Sequence, residues 1–236
     1  MKKLFILAII SALMLTACGT NEPNTLTSRE KNEGWQLLFD GQSTTGWHGY
    51  LVDSADDGWI VEDGLLYCKG LGGDIGGDIL TDKQFENFIL KLEWKISEGG
   101  NSGIFYHVIE DEKYNAPYLT GPEYQLIDDE GFPQPLEEWQ KAGADYAMYA
   151  PNDKKQLKPQ GEWNTSKIVF DKGHVEYWLN GAKVVEFEAW SEEWVSRKNE
   201  GKWKDYPDYG IFKKGHIGLQ DHGNEAWFRN IKIKEL

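Results

Sequence analysis

The chain has 236 residues, of which 40% are hydrophobic and 14% aromatic, with 11 Trp. That is enough apolar material for a packed core, which excludes a disordered chain, and the length suits one large domain or two small ones. The formal net charge is −14 and no basic stretch exceeds a few residues, which excludes nucleic-acid binding, because phosphate contacts need clustered Lys and Arg.

Met1-Lys2-Lys3 is a positive start, and Leu4 to Leu15 is an apolar run too short to span a bilayer comfortably. The run ends in Leu15-Thr16-Ala17-Cys18, which resembles a bacterial lipobox. The expectation is a signal peptide over residues 1–17, cleavage before Cys18 and a diacyl anchor on Cys18. That places the protein on a cell-envelope membrane, in the periplasm or at the outer-membrane surface. Residues 18–33 are polar and predict a flexible tether, followed by one domain over residues 34–236. Cys68 is then the one remaining thiol, so no internal disulfide is expected; within Leu65-Leu66-Tyr67-Cys68 it reads as a small buried hydrophobe.

From Trp35 onward the pattern is short strands with Gly or Asn-Gly turns. Trp35 to Phe39 alternates loosely, and Trp59 to Cys68 reads as a hairpin folded at Glu62-Asp63-Gly64. Phe88 to Ile96 alternates strictly, with Phe88, Leu90, Leu92 and Trp94 on one face. Further strands are expected at Gly103 to Val108, Tyr124 to Ile127 and Thr165 to Phe170. His174 to Leu179 and Lys183 to Phe187 flank Asn180-Gly181, a type I′ turn signal. His216 to Gln220 and Ala226 to Lys234 close the chain. Leu136 to Ala142 and Trp190 to Lys198 predict short helices. Two long irregular stretches, 109–122 and 128–162, are of the kind that often carries function. About ten strands without helical crossovers predict an all-β fold, an antiparallel two-sheet sandwich.

Alternation assigns polar residues to the non-core face of three strands. His107 shares a face with Phe105, Glu123 with Gln125, and His216 with Gly218, Gln220 and His222. If these strands lie in one sheet, His107, Glu123, Gln125, Gln220 and His222 share its open face, with Glu93 and Lys95 as neighbours. Such a set binds hydroxyls, transfers protons or ligates a divalent metal. A solvated sheet face is the plainer account of any one residue, but exposed faces favour Lys, Thr and Glu over His and Gln. No phosphate loop, HExxH helix, GxSxG elbow or CxxC pair occurs, so no nucleotide cofactor is expected. Trp47, Trp139 and Trp203 stand in loop-like contexts and are the better candidates for stacking on sugar rings.

These segments resemble the DUF1080 family, also called 3-keto-disaccharide hydrolases. The matching pieces are Leu38-Phe39-Asp40-Gly41 with Gly46-Trp47, Gly100-Asn101-Ser102-Gly103-Ile104-Phe105 and Glu123-Tyr124-Gln125-Leu126-Ile127-Asp128. Gly161-Glu162-Trp163-Asn164, Trp178-Leu179-Asn180-Gly181, Gly218-Leu219-Gln220-Asp221-His222-Gly223 and Trp227-Phe228-Arg229-Asn230-Ile231 follow in order. The resemblance implies a concanavalin-like jelly roll acting on glycosides already oxidised to a ketone at sugar carbon 3. Many members carry Arg where this chain has His107.

For such a substrate a base takes the C2 proton, an electrophile stabilises the enolate and an acid assists the leaving group. The expected catalytic residues are His107 or Glu123 as base and His222 as acid. Glu93, Asn101, Gln125, Trp139, Lys141 and Gln220 are the expected substrate contacts, and the loop from Glu137 to Tyr149, including Asp145 and Tyr146, is a candidate pocket wall. His107 and Glu123 would also hold one divalent metal ion, which the set permits without demanding. A non-catalytic carbohydrate-binding module is the alternative. A glycosidase pairing Glu123 with Asp128 is disfavoured, because alternation puts those two on opposite faces, and a purely structural envelope protein leaves the His, Gln and Glu strands unexplained. Oligomeric state stays open.

Overall fold

A computed structural model describes residues 22–55, 57–71 and 77–236; the lipobox with Cys18 lies outside the described residues. The strands in chain order are β1 (Trp35–Leu37), β2 (Trp47–Gly49), β3 (Trp59–Glu62), β4 (Leu65–Cys68), β5 (Ile79–Phe85), β6 (Phe88–Ile96) and β7 (Asn101–Val108). Then come β8 (Glu123–Ile127), β9 (Asn164–Asp171), β10 (His174–Leu179), β11 (Ala182–Glu188), β12 (Gly215–Leu219) and β13 (Ala226–Glu235). Among the described residues two α-helices, α1 (Ser28–Asn32) and α2 (Glu192–Glu200), and three 3-10 turns, Pro117–Leu119, Glu138–Gln140 and Lys202–Asp205, lie on the connections. The helix expected at Leu136 to Ala142 is therefore only a 3-10 turn.

The strands form two antiparallel sheets. One runs β11-β10-β9-β6-β13-β4-β3, with β1 also on β13; the other runs β2-β5-β12-β7-β8. This is the antiparallel two-sheet sandwich that the strand pattern predicts, and the jelly roll that the family resemblance implies. Its core is the facing apolar rows. On β6, Phe88, Leu90, Leu92 and Trp94 are buried, and they meet Ile104, Tyr106, Tyr124, Leu126, Ile217 and Leu219 from the second sheet. Each such aliphatic or aromatic side chain contributes roughly 1.5–3 kcal/mol by leaving water. Trp94 also donates its indole N–H to Ser166 Oγ at 2.8 Å, so its polar edge is satisfied. Asn180 and Gly181 have φ of 48° and 87°, the two positive values a type I′ turn needs, and they join β10 to β11. Cys68 is fully buried, and burial pushes its thiol pKa up.

Two expectations fail here for physical reasons. The described part of the stretch expected as a tether is docked. Asn24 and Asn230 exchange backbone-to-side-chain hydrogen bonds at 2.7 and 2.8 Å, and Asn24 also donates to the Gly64 carbonyl. Thr27 and Glu30 then form a capping box on α1. The second failure is His107. Pairing to β12 puts Val108 opposite His216 and Phe105 opposite Gly218, so Tyr106 and His107 together face Ile217. This is a β-bulge, with His107 in the left-handed region at φ 54°. The bulge turns His107 into the sandwich, where its ring meets Phe170 at 4.4 Å and Phe88 at 5.8 Å.

Candidate active site

The outer face of the five-stranded sheet is covered over β7, β8 and β12. Every residue of β7, β8 and β12 is buried, because the sandwich core covers one face and loops cover the other. Segment 143–149 clips onto the edge of β8. Gln125 N–H bonds to Ala144 O, Gly143 N–H to Gln125 O and Tyr146 N–H to Glu123 O, at 2.9–3.0 Å. Trp203, in the 3-10 turn after α2, donates to Tyr146 O at 3.1 Å and stacks on Tyr209 with ring centroids 4.0 Å apart. Lys202 beside it lies over the Tyr146 ring at 4.3 Å.

Between this cover and the sheet is a cavity of about 310 Å3. Asn101, Glu123, Gln125, Gln220 and His222 line it, together with Asp78, Tyr118, Tyr146, Lys202, Trp203 and Asp221. Glu123 lies across Gly103; a Cβ at residue 103 would stand 2.2 Å from Glu123 Oε1, so glycine is required there for the carboxyl to reach its place. Burial raises the Glu123 pKa from its ordinary 4.5 to about 8, Lys202 opposes the shift and Asp78 adds to it. Gln125 Oε1, Gln220 Oε1 and Asn101 Oδ1 are buried acceptors without a hydrogen-bond partner. Buried orphan acceptors cost about 1–3 kcal/mol each, and three in one cavity mark a place built for donors from elsewhere.

Behind Glu123 is a second carboxyl, Asp145, wholly buried with both oxygens short of any well-formed hydrogen bond. Burial first, and then the charge of Glu123, push its pKa well up. The hydroxyls of Tyr106 and Tyr177, bonded to each other at 2.9 Å, complete this buried group.

The other expected site residues are elsewhere. His107 is absent from the cavity; its Nε2 lies 2.8 Å from Glu86 O, and burial lowers its pKa to about 4, so it is a neutral core histidine and neither base nor metal ligand. Glu93 belongs to the eight-stranded sheet, where it accepts from Arg229 at 2.7 Å and Asn230 at 2.9 Å. Lys141 is paired with Glu138 on the surface. Trp139 stands one layer out, against Tyr146 with centroids 5.4 Å apart. Trp47 is core, its indole donating to Leu38 O at 2.6 Å. Asp128 caps the turns at Gly99 and Gly131, which removes it as a partner for Glu123. Lys202 was not foreseen. The sequence signal nearest to it was Trp203, already marked as a loop tryptophan.

Residues 34–234 match the model of the 3-keto-alpha-glucoside-1,2-lyase-like domain. The chain belongs to this family. It is 34% identical over 229 residues to a 3-keto-disaccharide hydrolase of Bacteroides thetaiotaomicron, covering 86% of this chain and 79% of that one. A crystal structure of a provisionally assigned glycosyl hydrolase from Parabacteroides distasonis superposes with a TM-score of 0.86 at 47% identity, over 91% of this chain and 100% of that one. A second from the same organism gives 0.66 at 30% identity, over 86% and 99%. The carbohydrate-binding module CBM66 of Bacillus subtilis, 14% identical with a TM-score of 0.50 over 81% of this chain and 96% of that one, shares the fold.

Proposed function

We propose that the protein cleaves 3-keto-glycosides by β-elimination followed by hydration. The observation that carries this reading is one cavity holding a buried carboxyl, with a pKa near 8, beside a lysine and three orphan amide acceptors. A sugar supplies hydroxyl donors to Gln125, Gln220 and Asn101. Trp203 and Tyr146 give it apolar walls. Family membership and the name of the Bacteroides relative support the keto-sugar substrate.

A C3 ketone acidifies the C2–H bond, because the electron pair left behind spreads onto the ketone oxygen. Ionised Glu123 takes the proton, and its raised pKa makes it a stronger base than an ordinary carboxylate. Lys202 faces the enolate oxygen as the electrophile in the cavity. The enolate collapses to a C1=C2 double bond, the C1–O bond breaks with its electron pair, and His222 protonates the departing oxygen. Water then adds across C1=C2 to give the free 3-keto sugar.

The test is product formation from a 3-keto-glucoside and its unoxidised parent, alongside deuterium exchange at C2. Cleavage of the keto form alone, with C2 exchange that is lost in Glu123→Gln, is the expected result. Cleavage of the parent glycoside would replace elimination with direct glycosidic hydrolysis.

A further inference from the structure

A second cluster lies at the other end of β12, apart from the cavity. His48 on β2, His216 on β12 and Glu110 just after β7 each aim one ligand atom at a common point, all within 4.8 Å of one another. Glu110 Oε2 is 2.8 Å from His48 Nε2 and 3.9 Å from His216 Nε2. These separations bracket the roughly 3.3 Å expected between neighbouring ligands at about 2.0–2.1 Å from a tetrahedral metal.

The surroundings fix each ligand. His48 Nδ1 lies 2.8 Å from Asp82 Oδ1, and His216 Nδ1 lies 2.6 Å from the Thr81 carbonyl. With the Nδ1 protons donated there, both Nε2 lone pairs face the cluster. A carboxylate or carbonyl behind the ring is the usual support of a metal-bound histidine. Glu110 Oε1 is held by the Leu51 N–H at 2.7 Å, leaving Oε2 as the ligand. Among the described residues the Gln84 side-chain amide also lies 2.9 Å from His216 Nε2, a hydrogen bond that a bound ion would replace. Among the described residues no Lys or Arg is paired with Glu110 or Asp82.

A second His-carboxylate cluster, His174 with Glu176 and Glu186, makes an instructive contrast. Lys183 already stands against both carboxylates, at 3.1 and 2.6 Å, and His174 is bonded to Glu188. A cation of the chain's own occupies that site.

We infer that His48, Glu110 and His216 bind one divalent first-row transition cation of the zinc class. Two imidazoles and one carboxylate suit such an ion, and water completes its shell. The ion ties β2 and β12 to the segment after β7, outside the cavity and independent of the reaction proposed for it.

The purified protein, stripped with chelator, would be titrated with Zn2+ against a chromophoric competitor, and with Co2+ followed by its visible absorption. The expected result is one tight equivalent and cobalt bands of a four- or five-coordinate site. His48→Ala and Glu110→Gln each should weaken binding by at least about 100-fold, and Asp82→Asn by roughly 10–100-fold. His174→Ala should leave binding unchanged, and melting of the metal-free variants checks that each is folded. Glu110→Gln keeps the size and hydrogen-bonding shape, so it reports on charge and ligation alone. No tight equivalent in the wild type, or equal affinity in wild type, His48→Ala and Glu110→Gln, overturns the assignment. Loss of the tight site in His174→Ala instead would move the ion to the other cluster.

Discussion

The outer faces of the two sheets both carry polar residues and treat them differently. On the eight-stranded sheet many of the charges have a partner. Arg229 bonds to Glu93, Lys232 to Glu30, and Lys95, Lys91 and Lys167 lie over Trp227, Trp35 and Trp178. On the five-stranded sheet loops cover β7, β8 and β12 while three amide oxygens stay unpaired and burial raises the pKa of two carboxyls. A satisfied polar face stabilises; an unsatisfied and buried one costs stability and is retained where a ligand completes it.

The largest effect that tests this contrast is at Glu123. Glu123→Gln should lower kcat on a 3-keto-glucoside by about 10^3-fold or more, within the range of a lost general base. The same change should stabilise the protein at high pH. Glu123 binds its proton more tightly folded than unfolded, so its contribution is full below pH 4.5 and is lost as pH rises through about 8. Melting curves across pH 5–9 should therefore fall less steeply for the glutamine variant than for wild type. Activity runs the other way: kcat/KM should climb with pH to a plateau above about 8, as the base ionises. Lys202→Met comes next, with a loss of roughly 10^2-fold as the enolate loses its cation. Its activity limb should also move to higher pH, because Lys202 holds the Glu123 pKa down. An unmoved limb would separate Lys202 from the base.

A smaller effect has two signs at once. Gln125→Leu removes a buried orphan acceptor, so the ligand-free protein should gain about 1 kcal/mol, while kcat/KM should fall roughly 10-fold with the lost sugar contact. Loss of stability together with activity would instead make Gln125 a structural residue.

Much of this was legible in the sequence. Strict alternation on β6 and the Asn180-Gly181 turn gave the sandwich, and the alternation of β8 and β12 put Glu123 with Gln125, and Gln220 with His222, into one cavity. Three features were not legible, each for a different reason. His107 is one of the two residues of a bulge whose presence depends on the partner strand, so alternation within β7 alone assigns it to the wrong face. Glu93 was assigned the right kind of face but the wrong sheet, because period two says nothing about strand order. Lys202 lies on a short turn held by the bond from Trp203 to Tyr146, 57 residues away, and no local pattern encodes that contact.

The smallest effect is the one that guards the comparison. Glu93→Gln leaves Arg229 lying over Trp163 at 4.1 Å and keeps an acceptor for Asn230, while removing one partly exposed charge pair. Such a pair is worth up to about 1 kcal/mol, so melting should drop by a few degrees at most. Turnover of the keto-glucoside should equal that of wild type, since the eight-stranded sheet lies across the core from the cavity. Slowed turnover with unchanged melting would mean that the β6–β13 face reaches the site through the sandwich. Glu93, its pair already complete, would then carry a role that hydrogen-bond satisfaction alone does not reveal.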